Sequence, residues 1–390
     1  MTFRTINIDE LIGWNDILTD EEQLVRLSVK KFVTTECMPN INENFKKDKF
    51  PIELIPKLSK LGLFGANLHG YGCAEMSSVA YGMACHELEA CDSGLRSFVS
   101  VQTSLAMYSI HRFGSEIQKE KWLPKMVNGE IIGCFALTEP NHGSDPSRMT
   151  TKARKNGNSW ILSGTKMWIT NAQIADIAII WAKTDEDIIQ GFIVEKKFAN
   201  FSCNNIENKL SLKASITGSL YLNDVVVPEE NRIIKGVGLK APLSCLNNAR
   251  FSVAFGALGA AYNCLKYAID YTKTRYQFGV LIAKKQLIQN KLAIMATEIA
   301  KAGLMSLHFA HLKDNGKLTT AHISMLKRNN CRIAIDIARE ARTILGANGI
   351  ISDYNVLRHA LNLESTLTYE GTEEIHALII GRYLTGEDAF

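Results

Sequence analysis

One glutamate near the end of the chain stands where a turn gives way to a helix. Glu370 lies in the run Tyr-Glu-Gly-Thr at 369–372, in which Gly371 permits backbone angles that other residues resist. Thr372 is a good N-cap, and the two acidic residues after it suit the first turn of a helix, where the helix dipole favours negative charge. A carboxylate on such a loop can face a cleft and serve as a base. Many surface glutamates share this local pattern, so other motifs must decide its role.

Four further stretches carry groups that could hold a planar cofactor. The run FALTEPNHGSDP at 135–146 offers main-chain N–H groups and hydroxyls, and the tryptophan of WITN at 168–171 could flank a flat ring. The arginine of RYQFG at 275–279 could clamp a pyrophosphate, and ILGANG at 344–349 is a glycine-rich break after a long helix. Taken singly, these stretches are equally well explained as a β-turn, a core tryptophan, a solvated arginine and a helix stop.

The elements expected to position these groups form three blocks. From 20 to about 130 the apolar spacing is helical, and the first long helix is predicted to place on one side Leu24, Val25, Leu27 and Phe32. From 131 to about 234 the chain consists of short β-branched or aromatic runs bounded by turn residues. Helices are predicted again at 246–274, 282–313, 317–345 and 373–384. Segregated runs of this kind predict an α+β fold of packed layers, with domains at 1–130, 131–235 and 236–390.

Composition and motif content argue against several classes of protein. The chain has 390 residues and a net charge of +4, with no basic block interleaved with aromatics, so we expect no nucleic-acid partner. No run of about 18 apolar residues predicts a membrane span. The nine scattered cysteines show no CxxC and no zinc-ligand spacing, which predicts free thiols in a reducing compartment and no metal site. Neither GxGxxG nor GxxxxGK[ST] occurs, so a nucleotide must bind here in some other way.

Together the motifs resemble the acyl-CoA dehydrogenase family and, within it, the glutaryl-CoA dehydrogenases. The segments that carry the resemblance are GCFALTEPNHGSDPS, GTKMWITN, CLNNAR, RYQFG, KRNNC, ILGANGI and TYEGTEEIHALIIGR. They occur in the family's order and cover essentially the whole chain. The resemblance implies a helical N-terminal domain, a middle β-barrel-like domain and a C-terminal four-helix bundle. It also implies noncovalent FAD and a homotetramer in which neighbouring subunits complete each flavin site.

The resemblance assigns roles to individual residues and makes Glu370 the catalytic base. Some relatives carry the base in the segment that matches CLNNAR, but that position is Ala249 here. The implied flavin contacts are Phe135, Leu137, Thr138, Ser144, Trp168, Ile169 and Thr170. Those implied for the adenine dinucleotide half are Arg275, Phe278, Gln286, Leu345 and Gly346, completed by Thr372 and Glu374. The implied CoA contacts are Ser144, Leu246, Asn247 and Arg250.

Substrate choice is expected to depend on Arg96, which by the resemblance binds the far carboxylate of a glutaryl chain. The other residues implied around the acyl group are Glu89, Ser97, Tyr369 and Gly371. The implied reaction converts glutaryl-CoA to crotonyl-CoA and CO2 in lysine, tryptophan or glutarate degradation. In it Glu370 removes the α-proton, the β-hydride passes to N5 of FAD, and the electrons continue to electron-transfer flavoprotein.

The residues are also compatible with other functions. The alternatives are a non-decarboxylating glutaryl-CoA dehydrogenase, another short-chain acyl-CoA dehydrogenase or oxidase, and a non-catalytic helical binding module. Leu95 and His142 depart from the usual family pattern and affect mainly the expected acyl preference. The N-terminus is acidic and lacks an apolar signal segment. Because the chain begins at Met1, we expect the bacterial cytosol, with the mitochondrial matrix as the alternative for a eukaryotic source.

Overall fold

The computed structural model describes residues 8–389, except for the side chain of Asn15. The helices that precede the sheet are α1 (Ile8–Ile12), α2 (Asp20–Phe32), α3 (Ile41–Lys46), α4 (Ile55–Lys60), α5 (Ser78–Cys91), α6 (Ser93–Ser100), α7 (Tyr108–Phe113) and α8 (Glu116–Val127). The strands that follow are β1 (Gly133–Ala136), β2 (Lys152–Asn156), β3 (Ser159–Thr170), β4 (Ile177–Thr184), β5 (Ile189–Glu195), β6 (Phe201–Asn205), β7 (Thr217–Pro228) and β8 (Arg232–Val237). The remaining elements are α9 (Lys240–Thr272), β9 (Tyr276–Gln277), β10 (Val280–Leu281), α10 (Gln286–Asp314), α11 (Thr320–Ile344), α12 (Val356–Thr368) and α13 (Glu373–Thr385). This order of helices, sheet and helices confirms the predicted α+β class.

The described residues form two compact units, each built from separated stretches of chain. The first unit comprises 8–43, 77–96 and 251–389, and the second comprises 44–76 and 97–250. The domain boundaries expected near 130 and 235 stay a prediction.

The first long helix, α2, buries a different face from the one predicted. Its buried side chains are Glu22, Arg26, Val29 and Phe32. Of the four residues expected to share one side, Leu24 is 66% exposed and Leu27 is 49% exposed. The polar face is buried because Arg26 donates from Nε to Glu87 at 2.9 Å and from Nη2 to Asp9 at 2.7 Å. Ion pairing therefore overrides the apolar spacing that the prediction used.

The core of the first unit is a four-helix bundle of α9 to α12. Its buried residues include Val253 and Ala257 on α9, Ile299 on α10, Ile335 on α11 and Leu363 on α12. Helix α12 falls in a stretch for which no helix was predicted, and α13 packs against α11. By length and composition alone, α10 is apolar enough to cross a membrane, which is weak evidence because a core helix meets the same criterion.

The second unit contains a mixed eight-stranded sheet. The strands lie in the order β6-β7-β3-β2-β4-β5-β8, and β1 pairs in parallel with β4. Strand β3 is twelve residues long, so it joins two of the short apolar runs into a single strand. Its pairing with β7 shifts register between Leu162 and Gly164 and again between Lys166 and Ile169. The register shift between Lys166 and Ile169 includes the first residues of WITN (168–171), one of the predicted cofactor-binding motifs.

Candidate active site

The turn between α12 and α13 holds Glu370 in an unusual backbone conformation. Glu370 has φ +55° and Gly371 has φ +104°, and a non-glycine residue adopts such an angle only where its surroundings enforce it. Lys327 on α11 provides this support, because its Nζ donates to the carbonyl of Gly371 at 2.7 Å and to that of Leu367 at 3.3 Å. The Oε2 atom of Glu370 is buried. The sequence therefore placed the glutamate correctly on the turn but missed the lysine that fixes it.

The start of α13 agrees with the predicted N-cap. The Thr372 hydroxyl accepts a hydrogen bond from the main-chain N–H of Ile375 at 3.3 Å. Glu373 forms ion pairs with Arg332 and, at 3.5 Å, with Arg328 on α11. These contacts tie the first turn of α13 to α11. The cofactor roles expected for Thr372 and Glu374 stay predictions.

A buried ion pair lies next to the Glu370 turn. Nε of Arg96 on α6 is 2.5 Å from Oε2 of Glu89 on α5, and the two residues are 1% and 0% exposed. Nη2 of Arg96 donates to the hydroxyl of Tyr369, and the guanidinium lies 5.8 Å from the centre of that ring. The predicted substrate residues Glu89, Arg96 and Tyr369 therefore meet within the first unit.

Electrostatics keep Arg96 charged despite its burial. Burial alone would lower the pKa of Arg96, but the Glu89 carboxylate more than offsets this and raises that pKa well above its usual value. Burial also raises the pKa of Tyr369, so its hydroxyl stays protonated. The contacts that the structure describes for Arg96 use Nε and Nη2, which leaves Nη1 as the nitrogen available to a ligand. A guanidinium held in this way can bind a carboxylate.

Gly256 on α9 gives the ion pair the room it occupies. A Cβ atom at this position would lie 2.1 Å from Oε2 of Glu89 and 2.9 Å from Nε of Arg96. Any larger residue would therefore displace the pair. Gly256 was not among the predicted site residues, although a glycine inside a long helix is a signal of close packing.

A groove in the first unit brings together the residues expected to bind the adenine dinucleotide half of a flavin cofactor. It has a volume of about 1020 Å³. The predicted residues that line it are Arg275, Phe278, Gln286, Leu345 and Gly346. Lys284 and Lys285 also line it and were not predicted. Three cations and no acidic side chain among the lining residues suit a pyrophosphate, so the groove fits that half of FAD.

The second unit contains the residues expected to contact the flavin ring and joins two of the segments that carry them. The loop after β1 is joined to β3 by a hydrogen bond from the main-chain N–H of Met167 to the carbonyl of Thr138 at 2.9 Å. At the irregularity in β3, Trp168 has φ +63° and its side chain is 56% exposed. An exposed indole beside a polar loop suits a flat ring, so these residues also fit FAD.

Burial divides the predicted ring contacts into two groups. The side chains at least partly exposed are Thr138, Ser144, Trp168 and Thr170. Those buried are Phe135 on β1, Leu137 in the loop after it and Ile169 on β3. The first group can offer hydroxyls and an aromatic face to a ligand, whereas the side chains of the second group are buried in the protein interior.

The residues predicted to contact CoA or the acyl chain in the second unit are Ser97, Ser144, Leu246, Asn247 and Arg250. Arg250 is buried, and its Nη1 donates to Oδ1 of Asn247 at 2.8 Å. The side chain of Ala249 is fully buried and carries no acid, so this segment cannot supply a base. Among the residues that the structure describes, no group of three His, Cys, Asp or Glu side chains lies close enough to hold a metal ion.

Comparison with known proteins gives matches along the whole chain. Models of the acyl-CoA dehydrogenase N-terminal, middle and C-terminal domains match residues 19–130, 134–225 and 236–385. The structure of a glutaryl-CoA dehydrogenase from Mycobacterium smegmatis is 53% identical, with a TM-score of 0.97, and the match covers 99% of this chain and 100% of that one. The structure of a glutaryl-CoA dehydrogenase from the same organism in complex with FADH2 is 50% identical, with the same TM-score and coverage. An acyl-CoA dehydrogenase from Bacillus subtilis is 38% identical over 95% of this chain and 99% of its own length.

Proposed function

Because this chain belongs to the acyl-CoA dehydrogenase family, we propose that it catalyses the FAD-dependent oxidative decarboxylation of glutaryl-CoA to crotonyl-CoA and CO2. Membership of the family confirms the resemblance found in the sequence, the activity of an acyl-CoA dehydrogenase and FAD as the cofactor. The observation that carries the finer proposal is the buried Arg96 beside the Glu370 turn. The similarity to a glutaryl-CoA dehydrogenase over 99% of the chain supports it.

Arg96 would select the substrate by its charge. A glutaryl chain ends in a carboxylate, which can accept hydrogen bonds from Nη1 of the guanidinium. A butyryl chain offers no such partner, and a site built to bind a polar group discriminates against analogues that lack it. The hydroxyl of Tyr369 and the carboxylate of Glu89 would hold the guanidinium in position.

Glu370 would act twice in the reaction. It first takes the proton from Cα of the thioester, while bound FAD supplies the oxidant that accepts the electron pair and hydrogen leaving Cβ. The resulting double bond makes the far carboxylate vinylogous to the thioester, so the bond to CO2 can break and leave its electron pair in a dienolate. Glu370 then returns its proton to Cγ, which gives crotonyl-CoA. The positive φ of Glu370 and the Lys327 contacts would keep the carboxylate in place for both transfers.

The assembly and the partners belong to the same proposal. We expect a homotetramer in which the groove holding Phe278 is completed by a neighbouring subunit, since that side chain is 92% exposed in the single chain. Electron-transfer flavoprotein would reoxidise the flavin. All nine cysteines are free, which supports a reducing compartment such as the bacterial cytosol.

One observation favours a runner-up, a dehydrogenase for another short acyl-CoA that lacks a far carboxylate. Glu89 already neutralises Arg96, so the pair as a whole carries no net charge with which to attract a dicarboxylate. In that case the pair would only seal the end of the acyl pocket. The two readings differ in whether removing the Arg96 charge changes substrate choice.

Anaerobic mixing of the purified holoenzyme with glutaryl-CoA or butyryl-CoA tests the proposal, with flavin bleaching and released CO2 as readouts. We expect glutaryl-CoA to bleach the flavin and release CO2, and Arg96→Met to lower its kcat/KM by at least about 100-fold through loss of a charge-assisted contact. Arg339→Met, which removes an exposed ion pair with Glu364, is the matched control and should leave the rate unchanged. Bleaching without CO2 would identify a non-decarboxylating enzyme, and an unchanged substrate preference in Arg96→Met would refute the role of Arg96.

A further inference from the structure

Another buried ion pair lies in the second unit, between the two segments expected to hold the flavin ring. Nζ of Lys166 on β3 is 2.9 Å from Oε1 of Glu139 in the loop after β1, and both side chains are buried. The same Nζ donates to the main-chain carbonyl of Leu137 at 3.0 Å. Lys166 therefore contacts the residues on both sides of Thr138, which is a predicted flavin contact.

Glu139 continues this connection to the far end of the loop. Its Oε2 accepts hydrogen bonds from the main-chain N–H of Thr150 at 2.6 Å and from the Thr150 hydroxyl at 2.7 Å. Its Oε1 accepts from the main-chain N–H of Thr151 at 2.9 Å. One carboxylate thus closes the loop 139–151, which includes the predicted contact Ser144, and joins it to β3.

The ion pair lies beside one of the two irregularities in the pairing of β3 with β7. Pairing between β3 and β7 is irregular from Lys166 to Ile169, the stretch that contains Trp168. The main-chain hydrogen bond from Met167 to Thr138 and the Lys166 contacts therefore replace missing ladder contacts. Because Trp168 also has a positive φ, a conformation that its surroundings must enforce, its position depends on these contacts.

A buried ion pair is a poor source of stability, because the desolvation of two charges offsets most of their attraction. Its presence at this point calls for another reason. The pair fixes the distance and direction between two segments more strictly than an apolar contact would, since each hydrogen bond demands its own geometry. The Glu139 carboxylate, with four donors around it, has its pKa lowered to about 2: burial opposes the shift, but Lys166 and the threonine N–H groups outweigh it.

We propose that Glu139 and Lys166 are positioning residues for FAD, which hold Thr138 and Trp168 at the spacing that the flavin ring requires. The ordering of these segments would then be complete before FAD binds, so that binding does not have to supply it. Neither residue needs to touch the cofactor. The inference rests on the flavin site proposed above.

Titration of FAD into the apo-protein tests the proposal, with the dissociation constant and the visible spectrum of the bound flavin as readouts. We expect Lys166→Met to raise the dissociation constant by about tenfold or more, equivalent to about 1.4 kcal/mol, and to alter the flavin spectrum. The smaller change Glu139→Gln keeps the shape of the side chain but removes its charge, and should shift both readouts in the same direction.

The matched control is Gln190→Leu. Gln190 is also buried in the second unit, and its Nε2 donates to the main-chain carbonyls of Ile233 at 2.7 Å and Gly236 at 3.0 Å. We expect this variant to lower the melting temperature of the apo-protein and to leave FAD affinity and spectrum unchanged.

Three results would overturn the positioning role: a dissociation constant in Glu139→Gln within twofold of the wild type, the same in a folded Lys166→Met, or an equal loss of FAD affinity in Gln190→Leu. If the wild-type apo-protein itself bound no FAD, the proposed function would fail instead, so the two failures are distinguishable.

Discussion

Replacing Gly256 by alanine would place a methyl group inside the Arg96–Glu89 pair. The added Cβ would lie 2.1 Å from Oε2 of Glu89 and 2.9 Å from Nε of Arg96, where ordinary contacts begin at 3.4 Å. The Glu89 carboxylate would have to withdraw by roughly 1 Å, and overpacking of this kind costs about 1–3 kcal/mol. Because both side chains are buried and bonded to each other, they cannot move without loosening the contact between them.

If this cost falls on glutaryl binding in the transition state, kcat/KM for glutaryl-CoA should fall about 5- to 150-fold. The value for butyryl-CoA should fall less, since a butyryl chain has no carboxylate to meet Arg96. The assay is anaerobic flavin reduction with each substrate in Gly256→Ala. Gly381→Ala is the control, because that glycine also lies in a helix, α13, and an added Cβ meets nothing within 4 Å. A glutaryl-to-butyryl ratio within twofold of the wild type would show that Arg96 does not set the preference.

Four further outcomes are expected from the same contacts. Glu370→Gln should slow flavin reduction by at least about 100-fold, as for loss of a general base, while FAD absorbance is retained; rapid bleaching would exclude Glu370 as the base. Lys327→Met should lower kcat by about tenfold or more with a smaller change in KM, because the Glu370 turn loses the hydrogen bonds from Lys327. An unaltered kcat would mean that the turn holds its conformation without Lys327. Glu89→Gln should slow CO2 release more than flavin reduction. The rates of flavin reduction and of CO2 release, measured separately in this variant and in the wild type, test this. The pKa of Glu139 is about 2 in the folded protein against an ordinary value of 4.5, so its ionised form stabilises the fold above pH 4.5 and this contribution is lost as the pH falls toward 2. The melting temperature of the wild type should therefore drop more than that of Glu139→Gln between pH 4.5 and 2. Equal drops in the two proteins would contradict this.

The sequence predicted those features that depend on local signals. The turn that carries Glu370 was recognisable from its glycine, its N-cap and the acidic residues after it, and the structure has this arrangement. The groove residues were grouped by the resemblance to the acyl-CoA dehydrogenase family, and the structure places them along one groove. Helix ends were predicted to within a few residues in most cases, since spacing and breakers are local properties.

The features that were missed depend on contacts between distant parts of the chain. The roles of Lys327 and Gly256 appear only when α9 and α11 lie beside the residues they serve. The error on α2 has the same cause, since Arg26 looks like a surface residue until Glu87 and Asp9 are placed next to it. The periodicity of apolar residues predicts which face of a helix is apolar. It does not predict which charged side chains form buried ion pairs with residues elsewhere in the chain.

Charge balance connects the Arg96 site to the proposed reaction. Before substrate binds, Glu89 and Arg96 neutralise each other in a buried site, and Oε1 of Glu89 has no hydrogen-bond partner among the residues that the structure describes. A glutaryl carboxylate would add a second negative charge next to the same guanidinium, and like charges at short range in a dry site repel strongly. Loss of CO2 removes that added charge and restores the neutral pair. Glu89 would therefore favour decarboxylation over retention of the carboxylate, while Arg96 ensures that a carboxylate is present to be lost.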